Sequence, residues 1–438
     1  MTSYADLTNL IETLKYNYGE GLKNQFPDEK LTYNQFPKSE RKPVGLGYVF
    51  GLRYARAQSI GARAESAKLP DPFTGKKDQG TINPRYIYGS IRITGPAMAA
   101  GVKGPGAFVN SLADEMEDIY QGLLVDMNRQ AHWDGFGKVG TVSATFTPAT
   151  GTTYSVVFDN DLGITYMQEG MLIDFFDATG ATPIITCVAQ RILSITPSTK
   201  TVVFEANGQT YKANHPNATI AAYTNDATPV AAGVIAVKSG ARDAAWTTSD
   251  TPLEITGLEG LYDDGTLLAV FENITVATNP KWAANVMGYS GVGREVSIDL
   301  MMNAVDLTRT RSGHSVKKIR MGLGQRRKYA NLLMPDVRFA PTVLKGGYET
   351  LTFSGGDGSL EIVIDPLTQP GKIYFEPEGV IQKYELVELG WGEVDGLKMR
   401  QRAGYDEYDM FLRLYTNLGC EQRNGLTVIK DLVEPSLY

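Results

Sequence analysis

Three histidines are the first place to look for chemistry in this sequence of 438 residues: His132, His215 and His314. None stands at metal-ligand spacing from a Cys, Asp or Glu, so surface or packing roles are the better reading for each. The two cysteines, Cys187 and Cys420, are far apart and suggest neither a disulfide framework nor a zinc site. Cys187 lies in the apolar run PIITCVA and reads as a small buried hydrophobe. The glycine cluster GYSGVG at 288–293 lacks the Gly-Lys-Ser/Thr ending of a phosphate loop, and its register departs from the dinucleotide fingerprint. Asp263-Asp264-Gly265 could touch a cation, but the remaining spacing of a calcium loop is absent. Asp114 and Glu117 have the separation of a carboxylate pair, yet Glu115 and Asp118 stand beside them. That is the pattern of a charged helix face rather than of a glycosidase pair. A Ser/His/Asp set stays open, but no nucleophile-elbow motif appears. The expectation is a protein that is not an enzyme and carries no cofactor and no metal.

Charge is the more informative property. The net charge of −7 argues against a general nucleic-acid binder, whose affinity comes from basic residues on phosphates. The charge is uneven: between Lys38 and Lys103 there are 12 Lys and Arg against 4 Asp and Glu. This basic stretch reads either as a solvated face or as an arm that lies on an acidic surface, such as that of another copy of the chain. No apolar run approaches the roughly 18 residues of a membrane span. The start, MTSYADLTNLIE, lacks the plan of a signal peptide, so a cytoplasmic protein is expected.

The element that would present an acidic surface is a long amphipathic helix expected over Gly106 to Trp133. Phe108, Leu112, Met116, Ile119, Leu123 and Met127 form one apolar stripe at helical spacing. Pro105 stands before it, and Gly135 and Gly137 follow as breakers. A second amphipathic helix is expected over Ser3 to Phe26, and Pro27, Pro37 and Pro43 then make an extended connector. From Val44 to Thr94 the sequence reads as a long β-hairpin. Its strands lie within Val44–Ile60 and Arg85–Thr94, and its polar tip spans Lys68 to Pro84. An active-site lid or an ordinary surface hairpin is the bland alternative. Val139 to about Gly240 is β-rich with regular turns, as in a small barrel or sandwich. Beyond Leu253, helices are expected at Arg294–Leu307 and Gln325–Leu333, and a short strand at Val316–Met321. Strands follow on either side of a Ser354–Gly358 turn. In the closing part Tyr408, Met410, Leu412 and Leu414 share one face, and Asn424-Gly425 signals a hairpin.

This order of parts resembles the major capsid proteins of tailed bacteriophages, the Hong Kong 97-type fold. So does the texture of Gly347–Phe353, of Ile362–Pro366, of Gly371–Phe375, and of Tyr415–Gly419 followed by Arg423-Asn424. The resemblance implies an α+β chain divided into an N-terminal arm (1–43), an E-loop hairpin (44–95), and a spine helix with the start of the P domain (96–141). An additional inserted β-rich domain (142–240) and the remainder of the P and A domains (241–438) complete it. It further implies a structural protein of the virion that self-assembles, as hexamers and pentamers, into an icosahedral shell. The shell encloses double-stranded DNA without sequence-specific binding and assembles in the host bacterial cytoplasm. Portal, decoration and separate scaffold proteins are the implied partners; the scaffold is inferred from an arm of only about forty residues before the hairpin. The contact expected between subunits joins Arg53, Arg56, Arg63, Lys68, Lys76 and Lys77 of the hairpin to Asp114, Glu115, Glu117 and Asp118 of a neighbour's helix. An encapsulin-like compartment would share the fold. A β-rich carbohydrate-active or carbohydrate-binding protein would instead be a monomer or small oligomer with a carboxylate-bearing cleft.

Overall fold

A computed structural model describes residues 32–57, 59–97, 111–148, 153–159, 161–178, 180, 183–184, 187–205, 229–242, 252–333, 352–355, 358–393 and 398–435. The helix expected at Ser3–Phe26, residues 106–110 of the long helix, 347–351 of the first C-terminal strand, and His215 lie outside these residues.

The chain begins its described course with a 3-10 turn at Thr32–Gln35, then pairs β1 (Tyr48–Arg53) with β2 (Lys77–Ile82) as an antiparallel hairpin. The register runs from Tyr48 opposite Ile82 to Arg53 opposite Lys77. Here the strand pairing differs from the expectation. The return strand lies inside the expected tip, and β3 (Arg85–Thr94) leaves the hairpin altogether. KDQGTI carries one large apolar residue, so its pattern gives no strand signal; ladder hydrogen bonds and the burial of Ile82 decide its conformation. By contrast β3 alternates and buries Ile87, Ile91 and Ile93, so it needs a partner with the same alternation.

The long helix, α1, spans Ser111–His132. Leu123, Met127 and Ala131 of its stripe enter the central core, while Met116 and Ile119 are half-buried. Arg129 occupies its last turn, where a cation complements the free carbonyls of the helix end.

Next comes the β-rich region. It comprises β4 (Lys138–Thr141), β5 (Tyr154–Val157), the short helix α2 (Asp161–Tyr166), β6 (Leu172–Phe176), β7 (Gln190–Thr196), β8 (Thr201–Phe204) and β9 (Ile235–Lys238). The strand order is β4-β9-β6-β7-β8-β5. Ser143 N–H donates to Val157 O (2.8 Å) and Asp159 N–H to Thr141 O (2.9 Å), joining the two ends so that the sheet closes on itself. Closure removes free edges and makes an interior of Val156, Phe175, Phe204 and Ala236.

The remaining described chain builds a two-stranded hairpin and two larger sheets. After α3 (Leu258–Leu261), the two-residue strands β10 (Val270–Phe271) and β11 (Ile274–Thr275) form a minimal hairpin. β12 (Asn285–Met287), α4 (Ile298–Ser312), β13 (Val316–Met321) and α5 (Leu323–Leu333) follow. Ser297 caps α4 by accepting the Leu300 amide, and Gly313 ends it in the left-handed conformation. β14 (Thr352–Gly355), β15 (Gly358–Ile364) and β16 (Ile373–Pro377) join β12, β13 and β20 (Thr427–Ile429) in a mixed sheet, ordered β12-β20-β16-β13-β15-β14. β17 (Ile381–Trp391) and the short β18 (Arg400–Gln401) pair with β19 (Glu407–Cys420), whose other edge takes β3 over its whole length. β19 buries Met410, Leu412 and Leu414 and turns Asp409, Phe411, Arg413 and Tyr415 outward, as its alternation requires. The Asn424-Gly425 signal is a second correction: these residues form a 3-10 turn, and β20 pairs with β12 and β16 instead of folding back on β19.

Candidate subunit-contact surface

The hairpin is rooted in the core and open at its far end. Tyr48, Phe50 and Ile82 are buried, with Tyr48 edge-on to Tyr384 (5.1 Å) and Phe50 against Trp282 (6.0 Å). Farther out, the connection between the strands exposes apolar residues in sequence: Ile60 is 88 % exposed, Leu69 79 % and Phe73 57 %. A stretch that keeps three large apolar side chains in water has the composition of a contact surface.

The six basic residues singled out in this stretch divide into two sets. Arg63 donates to the carbonyls of Ala62 and Lys68, Lys68 pairs with Asp71 (2.6 Å), and Lys76 donates to Asn279 Oδ1 (3.0 Å). Arg53, Arg56 and Lys77 have no hydrogen-bond or ion-pair partner among the described residues, and Arg53 and Lys77 face each other in the ladder. Like charges set opposite one another repel. On α1, Glu117 and Asp118 are exposed, and Glu117 accepts a hydrogen bond from Gln121 (2.7 Å). Glu115 is half-buried, and the side chain of Asp114 lies outside the described residues. Among the described residues no ion pair joins the basic set to the acidic one within a single chain.

The charged groups that sequence reasoning missed are buried and structural. Arg320 is 1 % exposed; its Nε donates to Glu376 Oε1 (2.7 Å), Nη1 to Asp365 Oδ2 (3.3 Å) and Nη2 to Gln35 Oε1 (3.0 Å). Asp365 also faces His132 Nε2 (3.1 Å) and accepts from the Thr32 hydroxyl. Burial pushes the Asp365 carboxyl up, but His132, Thr32 and Arg320 more than reverse this and hold it below the usual carboxylate range. One buried cluster therefore fixes the start of the described chain, the end of α1 and the mixed sheet together. A second joins Arg129 to Glu254 (2.5 Å) and Asp126 (3.0 Å). A third sets Glu259 against Lys372 (2.7 Å). Burial raises the Glu259 carboxyl, and Lys372, Lys138 and Gln369 outweigh it, leaving it at about 2. Apart from Asp126, three residues before Arg129 on α1, no local pattern marks these residues, since their partners stand far away in sequence. Among the described residues no group of His, Cys, Asp and Glu could hold a metal ion. Asp263 instead caps the backbone amides of Gly265, Leu267 and Leu268. Asp431 likewise occupies the glycine cluster, accepting from the Tyr289 and Gly291 amides.

No protein-family model and no curated protein matches the sequence. Solved structures do match. The cyanophage A-1(L) capsid asymmetric unit aligns over 97 % of this chain and 99 % of its own, with a TM-score of 0.55 and 13 % identity. The chain has the fold of a phage capsid protein. The capsid of Myoviridae phage XM1 aligns over 97 % of this chain and 98 % of its own, at TM-score 0.45 and 7 % identity. The capsid of the native GTA particle aligns over 94 % and 95 %, at 0.47 and 8 %. A capsid fold is what the resemblance implied, and it is matched at 13 % identity.

Proposed function

We propose that this chain is the repeating subunit of a bacteriophage capsid, with the Hong Kong 97-type division into arm, E-loop, spine helix, P and A domains, and that it assembles into an icosahedral shell around DNA. One observation carries the reading: a capsid fold that accounts for nearly the whole length of both chains compared. The exposed hairpin residues support it. Ile60, Leu69 and Phe73 offer apolar area, and the unpartnered Arg53, Arg56 and Lys77 offer charge. In the proposed shell they lie on a neighbouring subunit near its Glu117 and Asp118. Each exposed ion pair there is worth about 0–1 kcal/mol. Repetition over a closed surface, with apolar burial beneath, supplies the rest. The net charge of −7 suits a container that confines DNA without gripping it. The closed β-barrel is the proposed insertion, in a decorating or subunit-tying role. In this reading the protein acts in the virion as a structural component, beside portal and decoration proteins.

The test follows the observed strand pairing. Deleting residues 59–73 and bridging the gap with a short Gly-Ser linker spares β1, β2 and the buried root. The variant should remain folded and fail to form stable shells in negative-stain microscopy and light scattering. Normal shells from this variant would refute the hairpin's role. Arg53→Glu, Arg56→Glu and Lys77→Glu together should lower assembly yield, and raising salt should lower wild-type yield toward the same level.

A further inference from the structure

Among the contacts of the hairpin root with the body of the chain, one side chain stands apart. Glu272 and Asn273 connect β10 to β11, both with positive φ (51° and 65°). Asn tolerates that conformation; Glu gains nothing from it, so a Glu held there calls for a reason beyond the turn. The reason is on either side of it. The backbone oxygen of Glu272 accepts the Thr81 amide of β2 (2.8 Å), and Oε1 accepts the Cys420 amide at the end of β19 (2.9 Å). Oε2 is enclosed with no hydrogen-bond partner, although the residue as a whole is half-buried. The space is made by Gly419, where a Cβ would stand 2.9 Å from Oε1 and 2.7 Å from Ile82 Cδ1.

The charges around this carboxyl do not neutralise it. Arg423 is engaged elsewhere through two of its nitrogens: Nε donates to the Leu261 carbonyl and Nη2 to the Gly260 carbonyl, 3.7 Å from Asp263, over the Phe271 ring at 4.3 Å, while Nη1 has no hydrogen-bond partner among the described residues. Glu421 is held by Arg41 and adds repulsion. Cys420 contributes a buried thiol. From β2, Thr81 and Ile82 offer nothing ionisable.

We propose that Glu272 is a proton-operated latch at the hairpin root: protonated, it closes the hairpin onto β19; ionised, it lets the root open. Burial raises the carboxyl well above the usual carboxylate range, and the Cys420 amide and Arg423 offset this only in part. In the opened root the carboxyl returns to its ordinary value of 4.5. Closure is therefore fully favoured below that value. It weakens as pH rises, by up to about tenfold in the opening constant per pH unit, until the raised value is passed. The device belongs to the single chain and does not depend on assembly.

Hydrogen exchange with mass spectrometry on the full-length chain, between pH 5 and pH 8 and corrected for intrinsic exchange, tests it. Peptides covering 77–84 and 415–422 should lose protection as pH rises in the wild type. In Glu272→Gln, which keeps an acceptor for the Cys420 amide, their protection should be level with pH. A wild-type slope of zero, or an equal slope in the variant, would overturn the latch. A second readout is the infrared difference between wild type and Glu272→Gln at pH 6. It should contain the C=O band of a protonated carboxyl, and its absence would overturn the latch as well.

Discussion

Replacing Arg320 by Met would test whether the buried cluster at the end of α1 holds three parts of the subunit together. The guanidinium is 1 % exposed and has three acceptors, on Glu376, Asp365 and Gln35. Met fills much of the volume but leaves two carboxylates buried without their cation. Removing one partner of a buried pair costs about 3–5 kcal/mol. At about 2.1 cal/mol/K of unfolding entropy per residue, the whole chain would lose roughly 3–5 °C of Tm. The penalty should also depend on pH. In the wild type, Asp365 is held below its ordinary range, so its contribution is complete above pH 4 and is lost only on stronger acidification. Without Arg320 the Asp365 carboxyl keeps His132 and Thr32 and takes up its proton only somewhat earlier than in the wild type, so the penalty should shrink on acidification below pH 4. Arg320→Lys keeps a charge but not the fork, and should fall between the two. The assay is urea unfolding followed by circular dichroism at pH 7 and pH 3, with a thermal scan beside it. A variant within about 1 kcal/mol of wild type, or a penalty level with pH, would refute the argument that this cluster is held by its central cation.

Three further outcomes are expected. Glu259→Gln should flatten part of the acid limb of the stability curve. The wild-type carboxyl is held at about 2, so its contribution, at most about 3 kcal/mol, is present above pH 4.5 and lost as pH falls toward 2; acid titration of Tm checks this. Phe204→Ala should cost about 3–5 kcal/mol, because the ring is fully enclosed between Tyr154 and Phe175. Limited proteolysis should then open the β-barrel first and leave the hairpin root protected. Gly257→Ala places a Cβ 2.2 Å from the Gln130 carbonyl of α1, where neither backbone can yield cheaply. The loss should exceed the 1–3 kcal/mol typical of overpacking, read by the same unfolding assay.

What the sequence disclosed depends on range. α1 was legible because its stripe repeats for four turns, and β19 because its alternation is long. α4 announced itself more loosely; its start at Ile298 was set by the Ser297 cap rather than by the apolar residues near Arg294. β2 was hidden because its ladder, not its side chains, makes it a strand. The partner of β3 was hidden because it lies more than 300 residues away, and nothing local distinguishes an alternating strand that folds back from one that waits. The exposed hairpin charges could be named in advance, but which of them find partners could not. Lys76 meets Asn279 and Lys68 meets Asp71 through loop geometry alone. Glu272 gave no signal, since its role rests on contacts from β2 and β19 at once.

The pairing of β3 with β19 also imposes a timetable. The described partner of residues 85–94 is residues 407–416, so a growing chain carries the hairpin and the isoleucines of β3 long before their partner exists. Until residues 407–416 are made, that strand edge must stay soluble and unpaired, or pair wrongly. A chain that has not reached residue 416 therefore lacks the sheet on which the hairpin is mounted. Synthesis of residues 407–416, rather than of the hairpin itself, determines when that sheet can form.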